Sequence, residues 1–235
     1  MDLSHRSQQA STIAIPTFSV GTGIPRIDHF MGELTSSHTY LFEGQSSIIT
    51  QLATALMVGA VQRFGRPVVV IDGGNSLDVY GLAALARRRG ENEREVLSTV
   101  MVARAFTAYQ LDTLIDQLPT FIETYEPLLV VVQHITDLLQ DPDMDPPESR
   151  RLLGRWLNLL RIQATRRNLI TLLTTRRSDA TFSSLLRSTM DTIVHCAPRG
   201  GDLELHLPQQ GRHMRYRPVP LYQWTLDEFG EDTYG

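Results

Sequence analysis

The chain has 235 residues, of which 42% are hydrophobic and 20% are charged, and its formal net charge is −4. This balance is typical of a soluble folded protein, and the length allows one large domain or two small ones. All 22 residues counted as Lys or Arg are arginines, which excludes chemistry that needs a lysine amine, such as Schiff-base formation or a lysine-containing phosphate-binding loop.

The first ten residues are polar, and short aliphatic runs then alternate with longer stretches of helical periodicity. The polar start predicts that there is no signal peptide. The longest aliphatic run, 128–132, is far shorter than the ~20 residues that span a membrane. The alternation predicts a mostly parallel sheet with helices on both faces. Strands are predicted at residues 40–42, 68–71, 99–103, 128–132 and 169–173, and helices at 51–64, 77–89, 109–125 and around Trp156.

Beyond residue 190 the pattern changes to shorter strands separated by glycine-rich turns. These strands are predicted at 192–196, 203–207 and 214–219, and they indicate an antiparallel extension. Cys196 is the single cysteine, which excludes an internal disulfide and favours a reducing, cytoplasmic compartment. Because adjacent side chains on a strand point to opposite faces, His195 and Cys196 cannot pair as a thiol site, and we expect Cys196 to be buried.

Four segments, taken in order, carry a resemblance to a known family. They are Gly23-Ile24-Pro25-Arg26-Ile27-Asp28 with Gly32, Phe42-Glu43-Gly44, Thr50-Gln51-Leu52, and Val102-Ala103-Arg104-Ala105-Phe106 with Gln110. From about Gly21 to Thr175, the chain resembles the ATPase core of RecA-fold strand-exchange recombinases, particularly RadA-like proteins and their paralogues. The resemblance implies a RecA-like α/β fold with a mostly parallel central sheet flanked by helices and a short antiparallel C-terminal extension. It also implies a role in homologous recombination and DNA repair.

The chain departs from this family where the family binds and hydrolyses ATP. Ile48 and Ile49 stand where the family's phosphate-binding loop has its last glycine and its lysine. Gln133 stands at the Walker-B aspartate and Gly74 at the water-activating glutamate. An amide is a poor Mg²⁺ ligand and glycine cannot act as a base. We therefore expect a pseudo-ATPase without a cofactor or metal. The degenerate loop comprises Gly44, Gln45, Ser46, Ser47, Ile48, Ile49 and Thr50.

Other functions stay open at this point. A metal-dependent hydrolase could be built from Asp72, His134 and Asp137, which follow predicted strands where open sheets place ligands. A nucleotide hydrolase that works without the lysine is a second enzymatic alternative. A third is a regulatory or scaffolding module that uses the fold for oligomerisation, unrelated to DNA.

The resemblance also implies a protein partner. RadA-like filaments grow when a Phe-x-x-Ala peptide before the core inserts into the neighbouring subunit, and this chain contains no such motif. We expect residues 1–20 to form an N-terminal tether and residues 21–235 a single core domain with a β extension from about residue 190. The apolar tether could pair with a partner's sheet edge or pack on its own core. The expected partner is a recombinase or another paralogue, and the candidate contact residues are Ile13, Ile15 and Phe18 on the tether and Ala103, Arg104, Ala105 and Phe106 on the acceptor segment.

Arginines are concentrated in the C-terminal part of the chain. Residues 148–217 hold 13 arginines and 5 acidic residues, a balance of +8. In the resembling recombinases this region leads to a loop that lines the DNA channel. Because guanidinium groups bind phosphates well, Arg176, Arg177 and Arg187 are candidate contacts for single-stranded DNA, with a solvated charged surface as the alternative.

Overall fold

The computed structural model describes residues 16–176 and 180–217. Strands and helices alternate through most of this part of the chain. The strands are β1 (Ser19–Val20), β2 (Leu34–Thr35), β3 (His38–Gly44), β4 (Val68–Asp72), β5 (Val100–Arg104), β6 (Leu129–Gln133), β7 (Ile170–Thr175), β8 (Thr192–Arg199), β9 (Asp202–Leu207) and β10 (Arg212–Tyr216). The helices are α1 (Pro25–Met31), α2 (Ser46–Phe64), α3 (Val79–Arg88), α4 (Glu93–Thr99), α5 (Ala108–Asp116), α6 (Leu118–Tyr125), α7 (Pro146–Arg167) and α8 (Ala180–Thr189), with a short 3₁₀ helix at Asp137–Gln140.

Eight strands form one sheet in the order β10-β9-β8-β3-β7-β6-β4-β5, and β1 pairs with β2 in a small antiparallel sheet. The six strands from β8 to β5 in this order pair in parallel. Every residue of β4 and of β6 is buried, as their uninterrupted aliphatic sequences predict for central strands. The predicted α/β class with a mostly parallel sheet flanked by helices is confirmed.

The boundary of the antiparallel extension was predicted wrongly. β8 pairs in parallel with β3 and antiparallel with β9, so the extension begins at β9. The reason is α8, which the sequence did not predict: it returns the chain to the sheet in the direction that a parallel strand requires. The predicted strand at 214–219 is also shifted, since β10 ends at Tyr216.

The predicted helix at 109–125 is two helices, α5 and α6, that meet at Gln117. Pro119 lies in the first turn of α6. Proline has no N–H group to donate to the preceding turn, so it is tolerated at a helix start and breaks a helix interior. Helix α4 and strands β1 and β2 were likewise not predicted.

Two apolar cores lie on opposite faces of the sheet. One is built around α2, whose Leu56 and Met57 are fully buried. The other is built around α7, whose Trp156 is fully buried. Among the described helices, none is both long and apolar enough to cross a membrane.

The end of the predicted tether packs on the chain's own core. The ring of Phe18 meets the ring of Phe64 edge-on, with centroids 5.5 Å apart, and Val20 is buried in β1. Of the predicted tether contacts, Ile13 and Ile15 lie outside the described residues. For Phe18, the structure supports packing on the chain's own core, the second of the two predicted alternatives.

Candidate functional site

The carboxyl ends of the parallel strands meet at one edge of the sheet, which is where open α/β sheets place ligand sites. β3, β4 and β6 end there at Gly44, Asp72 and Gln133. Gly74 lies two residues after the end of β4. The positions that the resemblance assigned to the degenerate nucleotide site are therefore brought to one edge.

The connection between β3 and α2 is a single residue, Gln45. β3 ends at Gly44 and α2 begins at Ser46, with the N–H groups of Ile48 and Ile49 donating to Gln45 O over 3.0 and 3.1 Å. A phosphate-binding loop needs several residues between strand and helix, so that consecutive N–H groups can surround the phosphate. Here α2 occupies the positions of that loop, and Ile49 is fully buried in the core.

Gly44 has a packing role. A Cβ atom at this position would lie 2.0 Å from the carbonyl oxygen of Cys196 on β8. Any side chain here would force the paired strands β3 and β8 apart. The glycine is thus explained by the neighbouring strand without reference to a phosphate.

His134 is packed against the start of α2. Its side chain is fully buried, its Nε2 lies 3.1 Å from Ser46 Oγ, and its backbone has φ of 53°. Its N–H donates to Thr174 Oγ1 on β7 over 3.0 Å. Gly74 lies against the imidazole, since a Cβ atom at position 74 would come within 2.7 Å of His134 Cβ and Cγ. The glycine at the predicted base position therefore leaves room for this ring.

Asp137 lies on the other side of the imidazole. Its Oδ2 is 3.5 Å from His134 Nδ1 and 3.0 Å from Arg176 Nε. Burial lowers the pKa of His134, with Arg176 acting in the same direction and Asp137 and Asp72 against it. Burial raises the pKa of Asp137, opposed by His134 and Arg176. His134 is accordingly neutral near pH 7.

Asp72 is fully buried, and its carboxylate organises the turn after β4. It accepts hydrogen bonds from the N–H groups of Gly74, Ser76 and Leu77 over 3.1 to 3.2 Å, and it pairs with Arg104 Nε at 3.3 Å. Its oxygens therefore bind groups of the protein itself and do not face a ligand site. Within residues 16–176 and 180–217, no group of three or more His, Cys, Asp or Glu side chains is placed to hold a metal ion, so the structure gives no support to the metal-hydrolase alternative.

The three predicted DNA contacts have different surroundings. Arg176 is exposed but is bound to Asp137. Arg187 is exposed in the last turn of α8. Arg177 lies outside the described residues. Contact with single-stranded DNA stays a prediction from the sequence.

The predicted acceptor segment lies at the edge of the sheet. β5 is the last strand on its side, and Ala103 and Arg104 complete it before Ala105 and Phe106. The side chain of Phe106 is 65% exposed, and that of Val102 is 45% exposed. Tyr109 at the start of α5, which was not among the predicted contact residues, is 56% exposed and extends the same apolar segment.

A row of histidines across β8, β9 and β10 also escaped prediction. Glu43, His195, His206 and His213 are paired in register across β3, β8, β9 and β10. The rings of His206 and His213 stack with centroids 3.9 Å apart, and His195 Nδ1 lies 3.0 Å from Glu43 Oε2. Cys196 points to the other face and is buried as predicted, and burial raises the pKa of its thiol.

A scan against protein-family models and a search of curated proteins gave no match to this chain.

Proposed function

We propose that the chain is a RecA-like recombinase paralogue that has lost nucleotide hydrolysis and acts in the cytoplasm, in homologous recombination or DNA repair, by binding a recombinase or another paralogue. One observation carries the loss of hydrolysis. β3 runs into α2 through Gln45 alone, so there is no loop of several consecutive N–H groups that could surround a triphosphate, and the N–H groups of Ile48 and Ile49 donate to Gln45 O. The buried His134 against Ser46 supports the same conclusion.

The proposed docking surface consists of the β5 edge and the segment after it, residues 102–109. Ala105 N–H donates to Asp72 O on the β4 side. Because the backbone groups of successive strand residues alternate between the two sides, the N–H and C=O groups of Val102 and Arg104 point away from β4. An extended peptide from a partner can pair with these groups, and Phe106 and Tyr109 supply apolar contacts beside them.

Titration with Mg-ATP tests the loss of nucleotide binding. We expect no heat of binding by isothermal calorimetry at micromolar to millimolar ATP, and no phosphate release. The physical reason is that neither a lysine nor a loop of free N–H groups is available at the start of α2. Micromolar affinity or measurable turnover contradicts the proposal.

Photo-crosslinking tests the docking surface. With p-benzoylphenylalanine at position 106, we expect irradiation in the cells of origin to capture a protein with an intact phosphate-binding loop, identified by mass spectrometry. The matched control places the same group at Tyr125, which is 40% exposed and ends α6 four residues before the start of β6. Val102→Pro removes one outward N–H group and should lower the yield at position 106 severalfold, since proline is tolerated where an edge strand faces solvent. Equal capture from positions 106 and 125, or capture of an unrelated protein from position 106, argues against this surface.

A further inference from the structure

At the carboxyl ends of the parallel strands, a serine, a histidine and an aspartate contact one another in the order found in acyl-transfer sites. Ser46 Oγ lies 3.1 Å from His134 Nε2, and His134 Nδ1 lies 3.5 Å from Asp137 Oδ2. A hydroxyl nucleophile, a base on one ring nitrogen and a carboxylate on the other ring nitrogen are the parts that activate a serine. In a structure without bound substrate such distances are often longer than in the reacting complex. We propose that Ser46, His134 and Asp137 form a serine nucleophile site that hydrolyses carboxylic esters.

The backbone places Ser46 at a position where its hydroxyl group can reach a substrate. Ser46 is the first residue of the 19-residue helix α2, directly after β3 and Gln45, and it is partly exposed. A sharp turn from strand to helix is the position that presents a catalytic serine above an α/β sheet. The N–H groups of Ile48 and Ile49 donate to Gln45 O, which leaves the N–H groups before them directed out of the helix end. These groups and the positive end of the helix dipole stabilise negative charge that develops beside Ser46 Oγ.

The base is buried, and one of its ring nitrogens is left without a hydrogen-bond partner in the described part of the chain. His134 is fully buried with φ of 53°, a left-handed conformation that few residues other than glycine adopt. Its Nδ1 and the Oδ1 atom of Asp137 are buried without a hydrogen-bond partner among the described residues. A small movement of Asp137 toward the ring satisfies Nδ1 and fixes the tautomer in which Nε2 accepts the Ser46 proton. Because burial lowers the pKa of His134, the ring is neutral and able to accept a proton near pH 7.

Water is the only co-reactant that the proposed hydrolysis needs. Ser46 Oγ attacks the ester carbonyl carbon while His134 Nε2 takes the hydroxyl proton. The carbon–oxygen bond to the alcohol breaks, the alcohol leaves with the proton from His134, and an acyl ester remains on Ser46. Water then attacks this acyl group and gives a proton to Nε2, the carboxylic acid leaves, and Ser46 Oγ regains its proton. Arg176 also binds Asp137 and weakens the base, which favours esters with good leaving groups over amides.

A fluorophosphonate probe on the full chain tests the site. We expect one label per chain at pH 7.5, assigned to Ser46 by peptide mapping. Ser46→Ala should remove the label, and Ser184→Ala, a change of an exposed serine on α8, should leave it. His134→Gln should slow labelling by about 100-fold or more, the usual contribution of a positioned base. No label at Ser46, or a label that maps to another serine, overturns the proposal.

The pH profile of the wild-type chain gives a second readout that does not require a variant to fold. If His134 is the base, the labelling rate rises with an apparent pKa below the ordinary histidine value of about 6.5 and is flat above it. A rate that only follows hydroxide concentration overturns the proposal. The docking role is tested separately, because crosslinking from position 106 is expected to be the same in Ser46→Ala as in the wild type.

Discussion

Gly44→Ala is expected to destabilise the chain by about 3 kcal/mol, at the upper end of what overpacking a core costs. The new Cβ atom would lie 2.0 Å from Cys196 O, which belongs to the backbone of the adjacent strand and cannot rotate away. β3 and β8 must therefore separate at the pair formed by Gly44 and Cys196. Urea unfolding followed by circular dichroism measures the loss.

Gly154→Ala is the matched control for this substitution. Gly154 lies inside α7, and a Cβ atom there has Leu185 Cδ2 at 3.8 Å as its nearest contact. The same chemical change should therefore stabilise the chain by about 0.5–1 kcal/mol through helix propensity. If Gly44→Ala unfolds at the wild-type urea concentration, β8 does not approach β3 as closely as described, and the packing explanation for this glycine is wrong.

The two glycines of the degenerate site show what the sequence could and could not predict. Ile48, Ile49 and Gln133 were enough to predict that this chain lacks the residues that bind ATP and Mg²⁺ in the family it resembles. The packing reasons for Gly44 and Gly74 could not be predicted, because each glycine lies against a residue that is distant in the chain. Gly44 meets Cys196, and Gly74 meets His134. The Ser46–His134 contact joins residues 88 positions apart, and no local pattern predicts such a pair.

The same distinction holds for the fold. β4 and β6 were predicted because a strand buried on both faces is aliphatic throughout, and that signal is local. The direction of β8 was predicted wrongly, because it depends on α8 and on a pairing with β3 that composition does not specify. The histidine row depends on the register of three strand pairs. A shift of one residue in any of these pairs would place its members on opposite faces.

Trp156→Ala should cost about 3–5 kcal/mol, the usual range for removing a large buried aromatic side chain. Trp156 is the largest fully buried side chain in the described part of the chain. Its indole Nε1 donates to Asp112 Oδ1 on α5 over 2.6 Å. Arg155 on α7 binds the same carboxylate and lies 3.3 Å from Asp116. The tryptophan thus contributes both apolar burial and one of the polar contacts that hold α5 against α7. Urea unfolding followed by circular dichroism measures the change.

Trp156→Phe separates these two contributions. Phenylalanine keeps most of the buried apolar area but leaves Asp112 with Arg155 alone, so we expect a loss of about 1–2 kcal/mol. Because α5 begins two residues after Phe106, loosening α5 in Trp156→Ala should also reduce crosslinking from position 106, whereas Trp156→Phe should preserve it. Equal losses of stability in the two variants would show that the hydrogen bond to Asp112, rather than burial of the ring, dominates. Unchanged crosslinking in Trp156→Ala would show that the docking surface does not depend on how α5 is held.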